Sequence, residues 1–204
     1  MVLNYDFVCY KETIVMNIVL IGSSTGGPNQ VKFLLQDIDM KHCCAVVAQH
    51  MGASFLPNYV RQFNQEALAE VVLADDKEAL VRNKIFVCRQ NTVFDGSLNP
   101  TLNFSQERTV FNPNVNLLFS SATHIAKTNN ILAILLTGMG DDGAKGLFEL
   151  YNAGAECLGE SEADCVVYGM PKRAKELNPK LKQMGLAGIK TEIIKFVKGQ
   201  DNGK

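Results

Sequence analysis

The stretch Ile18-Val19-Leu20-Ile21-Gly22-Ser23-Ser24-Thr25-Gly26-Gly27-Pro28 decides the reading of this chain. Four apolar residues end in Gly22. Two serines, a threonine and two glycines follow, and Pro28 then opens a segment with Val31, Leu34, Leu35 and Ile38 at helical spacing. The pattern predicts a buried strand, a tight turn and a helix whose first position is Pro28. A hydroxyl on such a turn stands at the end of a sheet, near the positive end of a helix dipole. Open α/β sheets carry their chemistry at that place. The turn either cradles a phosphate or presents a nucleophile.

The same alternation continues downstream. Cys43 to Gln49 reads as a second buried strand ending at His50, and Ser54 to Glu66 as a helix. Glu70 to Leu73 and Ile85 to Cys88 read as short strands. The polar residues 89–113 hold short alternating pieces around Val93 and Leu102 to Phe104, which suggest a small antiparallel hairpin. Val115 to Ala126 reads as an amphipathic helix, and Ile131 to Leu136 as a third apolar strand. Ala144 to Tyr151, Pro171 to Glu176 and Thr191 to Val197 read as helices, and Glu156 to Leu158 as a strand. Strands alternating with helices predict an α/β fold: a mostly parallel, doubly wound sheet with helices on both faces and a hairpin excursion around 85–110.

Composition sets the outer bounds. The 204 residues are 47% apolar and 20% charged, with net charge −1, ordinary values for one globular domain. No basic stripe interleaved with aromatics supplies a nucleic-acid footprint. No apolar run approaches the length of a membrane span, and the first residues, with Asp6 inside an apolar stretch, make a poor signal peptide. The six cysteines show no C-x-x-C spacing, so buried reduced thiols in a cytoplasmic protein are expected rather than a disulfide frame or zinc site. Residues 1–15 are read as an N-terminal extension, 16–199 as one catalytic domain and 200–204 as a polar tail.

Three polar residues of catalytic type follow directly on the three strongest strands: Ser23 or Ser24, then His50, then Asp141 or Asp142. A parallel sheet brings all three to one edge. A serine hydroxyl is a poor nucleophile until an imidazole takes its proton, and the imidazole needs a carboxylate to hold its tautomer and stabilise its charged form. Each residue has a plainer reading. The serine can cap a helix, the histidine can be an ordinary hydrogen-bonded residue, and one aspartate can serve a turn or an N-cap. His42 lies in a polar loop and His124 precedes the third strand, which leaves His50 best placed as a base. The phosphate-loop reading fails at Pro28-Asn29, where lysine and a hydroxyl residue are required, and the dinucleotide pattern fails at Ser24. Paired aspartates can hold Mg²⁺, but no second carboxylate cluster completes an oxygen shell. No cofactor and no metal are expected.

Gly22-Ser23-Ser24-Thr25-Gly26-Gly27, Gln49-His50-Met51, Leu136-Thr137-Gly138-Met139-Gly140-Asp141-Asp142-Gly143 and Cys165-Val166-Val167-Tyr168-Gly169-Met170-Pro171 resemble the catalytic domain of chemotaxis protein-glutamate methylesterases (CheB-type). The similarity runs from about Met16 to the last helix. It implies Ser24 as nucleophile, His50 as base and Asp142 as the carboxylate, with backbone N–H groups near Thr25 and Met139 as oxyanion donors. Ser23 is left as a spacer or cap. The implied reaction is hydrolysis of γ-glutamyl methyl esters on the cytoplasmic helices of chemoreceptors, which serves adaptation. Many family members also deamidate receptor glutamines.

The chain departs from the family pattern at Asn112-Pro113-Asn114-Val115-Asn116, where Arg-Pro-Ser-Val-Asp is usual, and at Val87-Cys88-Arg89-Gln90, where Ala-Pro-Gly is common. About 15 residues precede Met16, against about 100 for the receiver domain most such enzymes carry. An enzyme not switched by phosphorylation in cis is therefore expected, its esterase rate unchanged by a phosphodonor. The competing reading is a non-catalytic binding or scaffold protein on the same fold, which would not be labelled at Ser24 by a fluorophosphonate. A nucleotide-binding module, the third reading, would respond to ATP or NAD in a thermal-shift assay.

Overall fold

A computed structural model describes residues 15–198. The expected polar tail, and all of the expected extension but Val15, lie outside the described residues. In chain order the elements begin with β1 (Asn17–Ser23), α1 (Gly27–Leu35), β2 (Cys43–Gln49), α2 (Leu56–Glu66) and β3 (Glu70–Leu73). Next come β4 (Glu78–Ala79), β5 (Lys84–Val87), β6 (Thr92–Asp95), β7 (Thr101–Phe104) and α3 (Val115–Ser121). The described residues end with β8 (Asn130–Leu135), α4 (Ala144–Asn152), β9 (Glu156–Glu160), α5 (Met170–Leu177), β10 (Lys182–Met184) and α6 (Leu186–Lys198).

Seven strands form one sheet in the order β10-β9-β8-β1-β2-β5-β3, every pairing parallel. β1 is central. Its Asn17 pairs with Cys43 on one side and Asn130 on the other. From β1 the chain winds outward through β2, then returns to β8 on the opposite flank. The carboxyl ends of β1 and its neighbours therefore border a topological switch point, where such sheets bind ligands.

The apolar runs are buried on both faces, which is why they read as continuous rather than alternating. Ile18 and Leu20 join a core with Leu118 and Phe119 of α3, Leu147 and Leu150 of α4, and Met170 and Ala174 of α5. Val19 and Ile21 join the other core, with Val31 and Leu34 of α1, Tyr59 and Phe63 of α2, and Ile189 and Ile193 of α6. The expected doubly wound α/β architecture is the one found.

The hairpin excursion is β6 paired with β7, extended by β4 into a separate three-stranded antiparallel sheet. The strand at 84–87 within the expected span belongs to the main sheet. Two short strands, β4 and β10, lie outside the expected elements. The helix expected over Val115 to Ala126 ends at Ser121, and a single 3₁₀ turn, Ile125–Lys127, follows. Ser121 Oγ bonds back to the Leu118 carbonyl at 2.9 Å and Thr123 Oγ1 to that of Ser120 at 2.8 Å, bonds that compete with helix continuation.

Candidate active site

The turn after β1 is held from three sides. The Ser24 N–H donates to the Thr137 carbonyl at 2.9 Å, and the Gly27 N–H donates to the Ser24 carbonyl at 2.9 Å. Gly26, the N-cap of α1, has φ 88°, and a side chain there would meet Val166. Helix α1 starts at Gly27, one residue before the expected Pro28. Ser24 is half-buried at the crevice. Gly138 lies against it, since a Cβ at residue 138 would sit 2.7 Å from the Ser24 Cβ.

Ser23 is fully buried, and its hydroxyl donates to Gln49 Oε1 at 2.6 Å. It is therefore neither an exposed nucleophile nor the helix cap. Gln49 Nε2 donates to the Ser24 carbonyl at 2.9 Å and to the His50 carbonyl at 3.0 Å. The His50 N–H donates to the Ser23 carbonyl at 2.9 Å. One buried amide thus ties the serine turn to the histidine turn.

His50 Nε2 lies 2.8 Å from Asp142 Oδ2. The His50 side chain is 9% exposed and that of Asp142 3%. The same carboxylate accepts the Val115 N–H on Oδ2 at 2.8 Å and the Asn116 N–H on Oδ1 at 2.9 Å, both from the first turn of α3. Burial raises the pKa of Asp142, but the His50 hydrogen bond and the two backbone donors outweigh it and hold the carboxyl below its ordinary value. An ionised Asp142 accepts from Nε2–H, which leaves the lone pair on Nδ1. His50 Nδ1 is buried and, among the described residues, has no hydrogen-bond partner. The Phe111 ring stacks on the imidazole, with centroids 4.4 Å apart and planes 11° from parallel.

Asp141 is exposed, and its carbonyl accepts the Ala144 N–H at 3.1 Å. It serves the turn into α4, whose N-cap is Gly143 at φ 88°. His124 is exposed at the 3₁₀ turn, and His42 lines a cavity of about 570 Å³ beside Asp37 and Lys198, away from these groups. Of the polar candidates, His50 and Asp142 pair directly, and the Ser24 turn is tied to that of His50 through Gln49.

Thr25 follows Ser24 in the chain, and Met139, 68% exposed, follows Gly138, which lies against Ser24. Among the described residues neither backbone N–H finds an acceptor. Their segments are tied to each other, since Thr137 Oγ1 donates to the Thr25 carbonyl at 3.0 Å. The Val167 N–H donates to Thr137 Oγ1 at 2.8 Å, and the Gly138 carbonyl accepts from Met170 N–H at 2.9 Å. Beneath them, Glu160 is fully buried. It accepts the Thr137 N–H at 2.6 Å and Gln30 Nε2 at 2.6 Å. Burial pushes its carboxyl above the ordinary value despite these bonds.

The altered residues 112–116 hold structural posts. Asn112 Oδ1 accepts the Asn91 N–H at 2.6 Å, Asn114 caps α3 through the Leu117 N–H at 2.8 Å, and Asn116 Oδ1 accepts the Gly146 N–H at 2.9 Å. Sequence reasoning missed Gln49, Glu160 and Phe111. A buried polar residue at a strand's end was a usable signal for the first two. Phe111, in a polar loop, left none. Among the described residues no three His, Cys, Asp or Glu gather as metal ligands, and no helix is long and apolar enough to cross a membrane.

A doubly wound parallel sheet with a hydroxyl, an imidazole and a buried carboxylate on the loops at its carboxyl edge defines an α/β protein with a polar site at the topological switch point. The CheB methylesterase family model matches residues 19–193, and the chain belongs to that family. It is 34% identical over 190 residues to the protein-glutamate methylesterase/protein-glutamine glutaminase 3 of Shewanella oneidensis, covering 89% of this chain and 52% of that protein. It is 35% identical over 191 residues to the corresponding enzyme 1 of Rhizobium johnstonii, covering 91% and 55%. The chain thus spans about half the length of the curated relatives it matches. The crystal structure of the Thermotoga maritima CheB methylesterase catalytic domain superimposes with TM-score 0.83 at 26% identity, covering 89% of this chain and 99% of that one.

Proposed function

We propose that this chain is a serine hydrolase that demethylates γ-glutamyl methyl esters on the cytoplasmic helices of chemoreceptors and deamidates receptor glutamines, acting in the cytoplasm in chemotactic adaptation. The observation that carries the reading is the buried His50–Asp142 pair at 2.8 Å, whose free nitrogen, Nδ1, has no partner, on a turn tied to that of Ser24. In this reading Nδ1 takes the Ser24 hydroxyl proton as Oγ attacks the ester carbonyl carbon. The N–H groups of Thr25 and Met139 receive the resulting oxyanion. Collapse breaks the bond to the methoxy oxygen, which leaves as methanol carrying the proton from Nδ1. Water then attacks the acyl-serine with Nδ1 again as base, releasing the γ-carboxylate and restoring Ser24. With a glutamine substrate the leaving group is ammonia and the remaining steps are the same. No metal or cofactor enters the scheme.

The names of the relatives, which couple methylesterase and glutaminase, support both substrates. The test is methanol release from methylated receptor, wild type against Ser24→Ala. The variant is expected to lose activity by about 10⁶-fold, as removal of a triad nucleophile does. Equal release by the two would overturn the assignment.

A further inference from the structure

We infer that Phe111 is a positioning residue for His50, fixing the plane of the imidazole while Nδ1 moves the proton; this rests on the hydrolase reading above. The imidazole is held by one hydrogen bond, at Nε2, and Nδ1 has no partner to hold it. The last torsion of a histidine side chain has broad wells, so a single bond leaves the ring free to rock about its Cβ–Cγ axis. Phe111 removes that freedom. With the planes 11° apart and the centroids at 4.4 Å, any such rotation drives an imidazole edge into the phenyl face. The same face lies within the range at which an aromatic ring attracts a cation. It therefore supports the imidazolium that forms when Nδ1 takes the serine proton.

Phe111 is placed for this task rather than for the core. It is 37% exposed and belongs to neither core cluster. Its loop is held by the buried Asn91, whose Nδ2 donates to the Glu107 carbonyl and to Thr109 Oγ1, each at 2.8 Å. Thr109 Oγ1 in turn donates to the Phe111 carbonyl at 2.5 Å, and the Asn91 N–H holds Asn112. Four residues after Phe111 the same segment supplies the Val115 N–H to Asp142. One short stretch therefore sets both the partner and the plane of His50.

The test compares wild type, Phe111→Leu and Phe111→Tyr for kcat and KM on p-nitrophenyl acetate, for labelling of Ser24 by a fluorophosphonate and for melting temperature. Phe111→Leu is expected to lower kcat and the labelling rate about tenfold, the kinetic equivalent of one aromatic pair, with KM and melting temperature nearly unchanged. Phe111→Tyr, which keeps the ring, is expected to recover most of the rate. Should Phe111→Leu fail to fold, Phe111→Met carries the same expectation. Three outcomes overturn the proposal: a wild-type kcat in Phe111→Leu, a loss confined to KM, or a Tyr variant as slow as the Leu variant. Wild type that neither turns over the ester nor is labelled overturns the hydrolase reading, and this proposal with it. A labelled wild type with an equally fast Phe111→Leu overturns this proposal alone.

Discussion

Asp142 takes part in three hydrogen bonds. Its three donors come from His50 and from the first turn of α3, so one carboxylate joins the end of β2 to a helix start. Replacing it with asparagine puts an amide where an acceptor of N–H is required. At least one of Val115, Asn116 or His50 then loses its partner, and the imidazole tautomer is no longer set. Under the hydrolase reading Asp142→Asn is expected to lower kcat about 10⁴-fold, measurable as ester turnover at neutral pH. Linkage makes Asp142 a stability group as well. Its folded-state pKa lies below the ordinary value, so its contribution is present above the unfolded pKa and is lost as pH falls through the folded one. In thermal melts the wild type is expected to lose more of its stability than Asp142→Asn does as the solution is acidified below about pH 4.

At the scale of elements, β1 and α3 approach closely because residue 22 has no side chain. A Cβ at Gly22 would meet Val115 Cγ1 at 2.2 Å, Leu135 Cδ1 at 3.1 Å and Phe119 at 3.2 Å. All three are fully buried and have nowhere to retreat. Gly22→Ala is expected to destabilise the protein by about 1–3 kcal/mol, the range for overpacked cores, read as a shift in the denaturation midpoint. Gly22 also shows how legibility divided. β1, β2 and β8 announced themselves because central parallel strands are apolar on both faces. β4 and β10 are short and largely polar, Glu78-Ala79 and Lys182-Gln183-Met184, and nothing in their composition separates them from loop. The ends of the apolar runs mark His50, Ser23 or Ser24, and Asp141 or Asp142, and the choice of Ser24 and Asp142 rests on the family motifs. Phe111 was not legible, because its contact with His50 is made through a loop whose path is set by side-chain bonds from Asn91 rather than by any periodicity.

For the molecule as a whole, Glu160 is an acid kept inside with, among the described residues, no cation paired to it. It supports Thr137, which in turn holds the Ser24 N–H, and its ionised form is the one burial penalises. Its folded-state pKa is raised, so the stability linked to it is fully present below the unfolded pKa and is lost as pH rises through the folded value, opposite in sign to Asp142. Glu160→Gln can keep the Thr137 bond through its amide oxygen. Its new N–H₂ finds an acceptor in Gln30 Oε1, which is buried and without a partner, once that amide turns over. The variant is expected to melt higher than wild type at pH 8 and to lose that advantage towards pH 4. A lower melting temperature at pH 8 would contradict the expectation.

The central place of β1 has a consequence in time. Asn17 pairs with Cys43 through a short crossover, but with Asn130 only after more than half the chain has been laid down. Pairings this distant in sequence are the slow ones. A chain on its way to the folded state can therefore join the serine and histidine turns while Asp142 is still absent. Under the hydrolase reading, recovery of catalysis during refolding would report the closing of the β1–β8 seam, and would lag behind any optical signal from the first half of the sheet.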